Sequence, residues 1–177
     1  MVILLAGLPG SGKSYFATEL VKRHPEFLVY NKDVVRQFLF PDSYTDYSAE
    51  QNSLCIEIIL SAIAYLYRTH PGQRFILDGR TFSKRHQVLQ VTERLDALNI
   101  PWLFVNFVCS DENAKRRIEG AIGSHEAVDR DYGLYLRVKA GQEMLTVPHL
   151  TLDTDDEDGL SERIERFLSY LKEMEGY

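Results

Sequence analysis

Residues 7–14 read Gly-Leu-Pro-Gly-Ser-Gly-Lys-Ser and contain the residue types best suited to chemistry in this chain. Two glycines five positions apart are followed by Lys13 and Ser14, a pattern whose backbone amides wrap the phosphates of a nucleotide. In such a loop the lysine contacts the β- and γ-phosphates, and the hydroxyl of Ser14 binds Mg²⁺. The segment therefore predicts a site for ATP, or another nucleoside triphosphate, together with Mg²⁺.

The sequence on either side of this loop supports the prediction. An apolar run at residues 2–6 precedes the loop and a helical pattern at residues 13–23 follows it, so the helix N-terminus faces the bound phosphate. Glycines suit such a loop because they adopt positive φ and let the backbone approach the ligand. We expect the nucleotide to contact Gly10, Ser11, Gly12, Lys13, Ser14 and Tyr15. The alternative is a chance glycine-rich turn.

A second candidate site lies at residues 31–36, directly after an apolar run. Asp33 and Arg36 are one helical turn apart and share a helix face. Asp33 is suited to accepting the proton of a hydroxyl, and the planar guanidinium of Arg36 suits an anionic acceptor such as a phosphate. The alternative is that Asp33 caps the helix while Arg36 lies on its solvated face.

The sequence Asp78-Gly79-Arg80 closes the next apolar run and gives a third candidate. Ligands of open parallel sheets bind beyond the carboxyl ends of the strands. Asp78 is predicted to orient a magnesium-bound water across from Ser14, and Arg80 is predicted to contact the acceptor. Lys84 and Arg85 follow at once, and a solvated helix start explains them slightly better than a role in the site.

A basic cluster at residues 115–117 leads into an irregular stretch that ends near Arg130. An arginine on a mobile segment can neutralise the charge of a transferring phosphoryl group and exclude water. Arg117 and Arg130 are therefore the candidate lid residues, within a lid region at about 115–131. At least one of Lys115 and Arg116 is expected to be helix surface, because geometry lets only some of the three face the nucleotide.

Strand-length and helix-length patterns alternate along the whole chain, which is typical of βαβ units and a parallel sheet. The predicted fold is one α/β domain over residues 1–177, a three-layer sandwich of the P-loop NTPase type with a five-stranded parallel sheet, flanking helices and a helical lid. The predicted strands cover 2–6, 27–30, 75–77, 102–108 and 150–152. The predicted helices cover 13–23, 34–40, 49–69, 84–98, 111–120, 132–145 and 160–174. Two irregular stretches, 41–47 with Tyr44 and Tyr47 and 121–131, are predicted functional loops.

Composition and charge limit the classes of protein to which this chain can belong. The chain has 177 residues and a formal net charge of -6. Residues 151–177 hold nine acidic and three basic side chains and account for all of this charge, so the net charge of the first 150 residues is zero. An acidic protein of this kind is not a general nucleic-acid coat, although a locally basic cleft remains possible. Cys55 and Cys109 lie in apolar segments and predict buried thiols. We expect no membrane span and no signal peptide, and hence a cytoplasmic protein.

Three segments together resemble the P-loop phosphotransferases that include the phage-type polynucleotide 5′-kinase and the kinase modules of bacterial end-healing enzymes. They are residues 7–14, the sequence Asn-Lys-Asp-Val-Val-Arg-Gln at 31–37, and Asp78. The second is similar to the family's aspartate-x-x-arginine signature. The resemblance covers most of residues 1–150 and implies that Asp33 is the general base for a 5′-hydroxyl and that Arg36 contacts the acceptor phosphate.

The lid departs from this family. Family members carry two arginines about four positions apart after the fourth strand, and here Arg117 fits the first while Ala121 occupies the second. Arg130 is the candidate to take over the missing charge.

The resemblance implies an ATP- and Mg²⁺-dependent kinase that phosphorylates 5′-OH ends of RNA or DNA in nucleic acid repair. Arg36, Arg80 and a stacking tyrosine, Tyr44 or Tyr47, would hold a short single-stranded end. A phosphatase or ligase module is then an expected fusion or partner. Two alternatives remain open: a small-molecule kinase on the same scaffold, and a nucleotide-binding regulatory module.

Overall fold

A single parallel sheet forms the centre of the molecule. The computed structural model describes residues 1–120, 131–156 and 158–176. Within these residues, five strands pair in the order β2-β3-β1-β4-β5, with every pair parallel. The strands are β1 (Val2–Ala6), β2 (Phe27–Asn31), β3 (Arg74–Asp78), β4 (Trp102–Val108) and β5 (His149–Asp153). The predicted α/β class and five-stranded parallel sheet are confirmed.

Helices connect these strands and cover both faces of the sheet. They are α1 (Lys13–Arg23), α2 (Lys32–Leu39), α3 (Ala49–Thr69), α4 (Arg85–Ala97), α5 (Asp111–Gly120), α6 (Tyr132–Ala140) and α7 (Leu160–Glu175). A short 3-10 helix, Asp42–Tyr44, lies in the first predicted loop. Ser48 caps α3 by accepting a 3.1 Å hydrogen bond from the amide of Gln51.

The three layers follow from the alternation of side chains along β1. Val2, Leu4 and Ala6 face one side, where they pack with apolar residues of α3 and α4, and the odd-numbered residues between them face the other side, where α1 and α7 pack. Each face holds a separate buried cluster, so the sheet is covered on both sides as parallel sheets require. The predicted three-layer sandwich is confirmed.

A smaller buried cluster joins α5 and α6 to the phosphate-binding loop. Ala114 and Ile118 of α5 pack with Tyr135 of α6, and Leu8 of the loop lies against them. The hydroxyl of Tyr135 donates a 2.7 Å hydrogen bond to Asp111 at the start of α5. These contacts hold α6 beside the loop and the cleft described below.

Two element boundaries differ from the sequence prediction by more than one residue. Helix α2 begins at Lys32 rather than at residue 34, because Asn31 caps it by accepting hydrogen bonds from the amides of Asp33 and Val34. Asp33 is therefore not the cap residue, and the alternative that made it one is wrong. Helix α6 ends at Ala140 instead of 145, where the chain turns so that the amide of Glu143 donates 2.9 Å to the carbonyl of Ser83.

Part of the predicted lid, including Arg130, lies outside the described residues. The described portion of that region ends with α5 at Gly120 and resumes at Asp131, the N-cap residue of α6. Among the described residues, no helix combines the length and the apolar character that crossing a membrane requires.

Candidate active site

The loop at residues 7–12 has a backbone that requires glycine. Gly10 and Gly12 have φ values of 78° and 86°, in the left-handed region that side chains disfavour. A Cβ added to Gly7 would lie 2.4 Å from the carbonyl oxygen of Phe107, and one at Gly10 would lie 2.7 Å from that of Ala114. The loop therefore fits against β4 and α5 only with glycine at these positions.

Lys13 begins α1 and lies under this loop, with 5% of the residue exposed. Its ammonium group donates to the carbonyl oxygens of Gly7 at 2.8 Å and Leu8 at 2.9 Å, and to the hydroxyl of Ser11 at 3.2 Å. The loop thus positions the lysine through neutral acceptors. A phosphate group is a stronger partner for this cation than these carbonyls, because both members of the pair are then charged.

Arg117 of α5 approaches the same loop from the other side. Its guanidinium donates to the side-chain oxygen and the carbonyl oxygen of Thr154, at 3.0 and 2.5 Å, and to the carbonyl of Gly10 at 3.4 Å. The hydroxyl of Thr154 in turn donates a 3.1 Å hydrogen bond to the carbonyl oxygen of Ser11. Arg117 therefore lies beside the predicted donor site. Tyr15, the neighbouring predicted nucleotide contact, is 60% exposed on the first turn of α1.

The predicted catalytic carboxylate, Asp33, is buried and paired with two cations. Its Oδ1 lies 2.9 Å from the ammonium of Lys32 and 2.6 Å from Nη1 of Arg36. Burial alone raises the pKa of Asp33, but the two neighbouring cations outweigh it and hold that pKa below its ordinary value. The carboxylate is therefore ionised at neutral pH. Both ion pairs involve Oδ1, which leaves Oδ2 outside them.

Arg36 is 2% exposed, so the alternative that placed it on a solvated helix face is wrong. In addition to its ion pair with Asp33, Arg36 donates a hydrogen bond to the side-chain oxygen of Asn52. The same oxygen accepts a 2.6 Å hydrogen bond from the ammonium group of Lys32. The ring of Tyr47 lies 5.0 Å from the guanidinium carbon, a cation–π contact. Burial lowers the pKa of Lys32. Residues from α2, α3 and the loop before α3 thus hold two cations around one carboxylate.

The predicted metal-side carboxylate, Asp78, closes β3 and is 1% exposed. It pairs in register with Asn31 on β2, whose side-chain amide donates 3.1 Å to Asp78 Oδ2. The other oxygen, Oδ1, is buried and has no hydrogen-bond partner among the described residues. Buried polar atoms of native proteins normally have partners, so this oxygen is available to accept from a water or to bind a metal ion.

Mg²⁺ fits these residues. It prefers oxygen ligands and usually takes one or two carboxylates together with substrate phosphates and water. Ser14 provides a hydroxyl and Asp78 a buried carboxylate oxygen without a partner, and both line the same cleft. They would hold the ion directly or through water, and the ion would neutralise charge on the transferring phosphate.

One cleft with a volume of about 320 Å³ brings half of the predicted site residues together. It lies beyond the carboxyl ends of β1, β2 and β3, which is the side where open parallel sheets bind ligands. The predicted site residues that line it are Lys13, Ser14, Asp33, Arg36, Asp78 and Arg80. Leu134 and Val138 of α6 line its opposite side. Tyr47 lines the cleft, whereas Tyr44 is 73% exposed and does not line it.

Several residues of the site had no role in the sequence prediction. Asn31 joins Asp78 to the start of α2, Asn52 accepts from both cations beside Asp33, and Thr154 holds Arg117 against the loop. Asn31 and Thr154 end or follow strands, so the rule on carboxyl ends of strands would have found them. Asn52 lies within α3, and no local signal in the sequence marks it.

Comparisons with known proteins agree with this architecture. A kinase candidate from Chloroflexus aurantiacus J-10-fl superimposes with a TM-score of 0.72 at 18% identity, covering 95% of this chain and 96% of that one. Mycobacterium tuberculosis APS kinase CysC, in complex with AMPPNP and APS, gives 0.69 at 16% identity with coverage of 97% and 96%. A gluconokinase from Sinorhizobium meliloti 1021 gives 0.61 at 14% identity with coverage of 96% of both chains. At these identities the likeness shows the fold alone.

Sequence comparison assigns the chain to a family. A search of curated proteins found no match. A family profile described as an AAA domain matches residues 2–127, which contain the phosphate-binding loop, Asp33, Arg36, Asp78 and Arg117. The match spans more than half of the chain, and the structure agrees with it in having the P-loop kinase-like fold. The protein belongs to this AAA-domain family of P-loop proteins.

Proposed function

We propose that this protein is an ATP-dependent kinase that transfers a phosphoryl group to a hydroxyl of a small molecule. The observation that carries the proposal is that a single cleft is lined both by the phosphate-binding residues Lys13 and Ser14 and by the paired Asp33 and Arg36. Its volume of about 320 Å³ is at the small end of ligand pockets, which range from about 300 to 1,000 Å³. A metabolite-sized acceptor suits that volume.

The structural relatives support an acceptor of this size. Two of them, the APS kinase and the gluconokinase, are kinases of small molecules, and each covers nearly the whole chain. The balanced charge of residues 1–150 also suits a small acceptor, since no extended basic surface is required.

The proposed reaction joins the acceptor oxygen to the γ-phosphorus of ATP. The bond between that phosphorus and the β–γ bridging oxygen breaks, and ADP leaves with that oxygen. The acceptor hydroxyl loses its proton. In a loose transition state of this kind, positioning and charge neutralisation contribute most of the catalysis. Lys13 and the loop amides hold the donor phosphates, and Arg117 lies close enough to the loop to neutralise charge on them.

Asp33 has the role of orienting the acceptor hydroxyl and taking its proton late in the transfer. A carboxylate whose pKa is held below its ordinary value is a weak base at neutral pH. It is also always in the form that accepts a hydrogen bond. Because Arg36 and Lys32 fix Oδ1, Oδ2 has a defined direction, which orients the hydroxyl for attack on the donor.

A second candidate acceptor is the 5′-hydroxyl end of RNA or DNA. The specific observation in its favour is the Asp33–Arg36 ion pair with Tyr47 beside it, which matches the signature of polynucleotide 5′-kinases and offers a ring near the acceptor. The function would then be nucleic acid repair, with a phosphatase or ligase module as partner. The small volume of the cleft and the identities of the relatives favour the first candidate.

Transfer of label from γ-labelled ATP with Mg²⁺ tests the proposal. A panel of small hydroxyl compounds is run beside 5′-OH oligonucleotides, with wild type, Lys13→Ala and Asp33→Asn. We expect labelled product from the small compounds with wild type, none with Lys13→Ala, and at least about a 100-fold lower rate with Asp33→Asn, since positioned proton transfer contributes about 10²–10⁴. Asp42→Asn, an exposed carboxylate outside the cleft, serves as the matched control and is expected to retain full activity.

The outcomes separate the candidates. Label on oligonucleotide ends alone would replace the first candidate with the second. ATP binding without transfer to any hydroxyl would reject both and favour a nucleotide-binding regulatory module. Equal activity of wild type and Asp33→Asn would remove Asp33 from the site.

A further inference from the structure

We propose that the acceptor carries an oxyanion, such as a phosphate, sulfate or carboxylate, besides the hydroxyl that is phosphorylated, and that Arg80 binds this oxyanion. The inference names the class of acceptor and so rests on the proposed function, but the anion site itself can be tested without any phosphoryl transfer. Three features of the described residues carry it: Arg80 is buried without a carboxylate partner among them, the cleft has an excess of cations, and an amide oxygen of a residue lining the same cleft has no hydrogen-bond partner among them.

Arg80 follows the carboxyl end of β3 and is aimed into the cleft by the residue before it. Gly79 has a φ of 86°, and a Cβ there would lie 3.0 Å from the amide nitrogen of Lys32. The chain therefore turns closely against the start of α2, and Arg80 lines the cleft with 6% of the residue exposed. This placement brings the guanidinium into the same cavity as Asp33 and Lys13.

The guanidinium has no ion pair with any carboxylate in the described part of the chain. Its Nη1 donates 2.8 Å to the side-chain oxygen of Gln90, whose amide nitrogen donates 2.9 Å to Glu57. Glu57 therefore makes no hydrogen bond with Arg80 itself, and the side chain of Gln90 lies between the two charged groups. Burial lowers the pKa of Arg80 to about 10, which leaves it protonated at neutral pH. Burying a cation is costly unless an anion pairs with it, so the direct counter-charge is expected from the ligand.

Gln90 fixes the guanidinium without neutralising it. Its amide is held in one orientation because the nitrogen side donates to Glu57 and to the carbonyl of Ser53, at 2.9 and 3.4 Å. The oxygen side is then directed at Arg80. This arrangement occupies Nη1 and leaves Nε and Nη2 of Arg80 without a hydrogen bond to any described residue. Two adjacent donors of one guanidinium match the two oxygens of a phosphate or carboxylate.

The charge of the cleft also indicates an anionic ligand. The charged side chains among its described lining residues are Lys13, Lys32, Arg36, Arg80, Asp33 and Asp78. This makes four cations and two carboxylates, in a chain whose formal charge is -6. The donor phosphates account for Lys13, and Mg²⁺ for Asp78. What remains is three cations around Asp33, so the acceptor end of the cleft is locally positive and suits an oxyanion.

An independent observation concerns Gln87 of α4, which lines the same cleft as Arg80. The side-chain oxygen of Gln87, another lining residue, is buried and has no hydrogen-bond partner among the described residues. An unmet acceptor of this kind favours a ligand that brings a donor group. An acceptor that carries an oxyanion and a further donor group, apart from the hydroxyl that Asp33 orients, supplies partners for both Arg80 and Gln87.

Binding of inorganic phosphate tests the anion site directly. The protein is first saturated with AMPPNP and Mg²⁺ so that the donor site is filled, and phosphate is then titrated by calorimetry. We expect phosphate to bind wild type and to bind Arg80→Gln at least about 10-fold more weakly, with Arg80→Lys in between because lysine keeps the charge but not the paired donors. Arg94→Gln, an exposed arginine of the same helix as Gln90, is the matched control and should bind as wild type does.

The affinity for AMPPNP and the thermal unfolding midpoint of each variant show whether it is folded. No binding of phosphate to wild type would overturn the proposal, as would equal binding by wild type and Arg80→Gln. A weakened Arg94→Gln control would also count against it, because the anion would then be held by general surface charge.

Acceptor preference tests the proposal in the reaction. Hydroxyl compounds are compared in pairs, one member carrying a phosphate or carboxylate and the other neutral, with 5′-OH oligonucleotides as a separate arm. We expect kcat/KM for the anionic member to exceed that of the neutral one by at least about 10-fold in wild type, and this preference to disappear in Arg80→Gln. Preference for small phosphoesters would identify a metabolite as the source of the oxyanion, and preference for oligonucleotides would identify a phosphodiester.

The two proposals fail in different ways. If neutral acceptors are phosphorylated as well as anionic ones, the kinase assignment stands and the anion site is rejected. If no compound is phosphorylated but phosphate binding depends on Arg80, the anion site stands and the kinase assignment is rejected.

Discussion

The side chain of Asn31 makes hydrogen bonds to both Asp78 and Asp33, the two aspartates that line the cleft. At the ends of β2 and β3 Asn31 pairs in register with Asp78 and donates a 3.1 Å hydrogen bond to Oδ2 of that residue. Its side-chain oxygen accepts 2.8 Å from the amide of Asp33 and thereby caps α2. One amide group thus fixes both the metal-side carboxylate and the helix turn that carries the acceptor-side carboxylate, so the spacing between the two parts of the proposed reaction depends on it.

Replacing Asn31 with alanine is expected to reduce both stability and activity. Loss of the helix cap costs about 1 kcal/mol, and the loss of the partner of Asp78 adds to it. Urea unfolding measures the first effect, and the Mg²⁺ concentration needed for half-maximal transfer measures the second. Ser48→Ala removes the cap of α3 and is the matched control. If only Asn31→Ala needs more Mg²⁺, the link to Asp78 is supported; an equal Mg²⁺ requirement of the two variants would contradict it.

Gly79→Ala is expected to destabilise the protein more than Gly72→Ala. Both glycines have positive φ, 86° and 88°, so both substitutions incur the left-handed strain of about 1–2 kcal/mol. Only at Gly79 does the added Cβ meet other atoms, at 3.0 Å from the amide of Lys32, whereas nothing lies within 4 Å at Gly72. The difference in unfolding free energy between the two variants therefore isolates the contact between β3 and α2. Equal losses would show that this contact is not tight.

The sequence was sufficient to predict the phosphate-binding loop and the parallel sheet. Both depend on short-range patterns: glycine spacing before a lysine, and apolar runs alternating with helical periodicity. The rule that ligands bind at the carboxyl ends of strands then brought Asp33 and Asp78 to one edge, and the structure places both in one cleft.

What the sequence did not predict depends on contacts between distant elements. Asn52 on α3 accepts from Lys32 and Arg36, and Thr154 holds Arg117, across separations of 16 to 37 residues that no local pattern encodes. The alternative that Asp33 caps the helix could not be rejected from the sequence, because asparagine and aspartate are both good caps and the structure gives the cap position to Asn31. The size of the acceptor also depends on the volume of the cleft, which a sequence motif does not specify.

Thr154→Val is expected to weaken nucleotide binding. The buried hydroxyl of Thr154 accepts 3.0 Å from Arg117 and donates 3.1 Å to the carbonyl of Ser11 in the loop, and valine keeps the shape without the hydrogen bonds. We expect a loss of about 1–2 kcal/mol in stability and a several-fold weaker affinity for AMPPNP with Mg²⁺, measured by calorimetry. Thr154→Ser keeps the hydroxyl and should bind close to wild type. Equal weakening in both variants would indicate a packing effect instead.

The ion pairs of Asp33 make a specific contribution to the pH dependence of stability. Burial raises its pKa, but Lys32 and Arg36 outweigh burial, so the folded-state pKa lies below the unfolded value of about 3.9. A depressed carboxyl pKa stabilises the folded state above the unfolded value. That stability is lost as the pH falls through the folded-state value.

We therefore expect Asp33→Asn to lower the free energy of unfolding by about 3–5 kcal/mol at pH 7, because it leaves Lys32 and Arg36 without their carboxylate. The deficit should be constant from pH 8 to about pH 5 and shrink below about pH 4, because the carboxyl group is then protonated in the unfolded wild-type chain, and at still lower pH in the folded protein. Urea unfolding at each pH measures it, with the exposed Asp42→Asn as the control. Because Asp33 stays ionised above pH 5, the rate of transfer should show no acidic limb from this residue between pH 5 and 8. A deficit that instead shrank as the pH rose from 5 to 8 would mean that Asp33 has a raised pKa, and the residue would then be a stronger base than its two ion pairs allow.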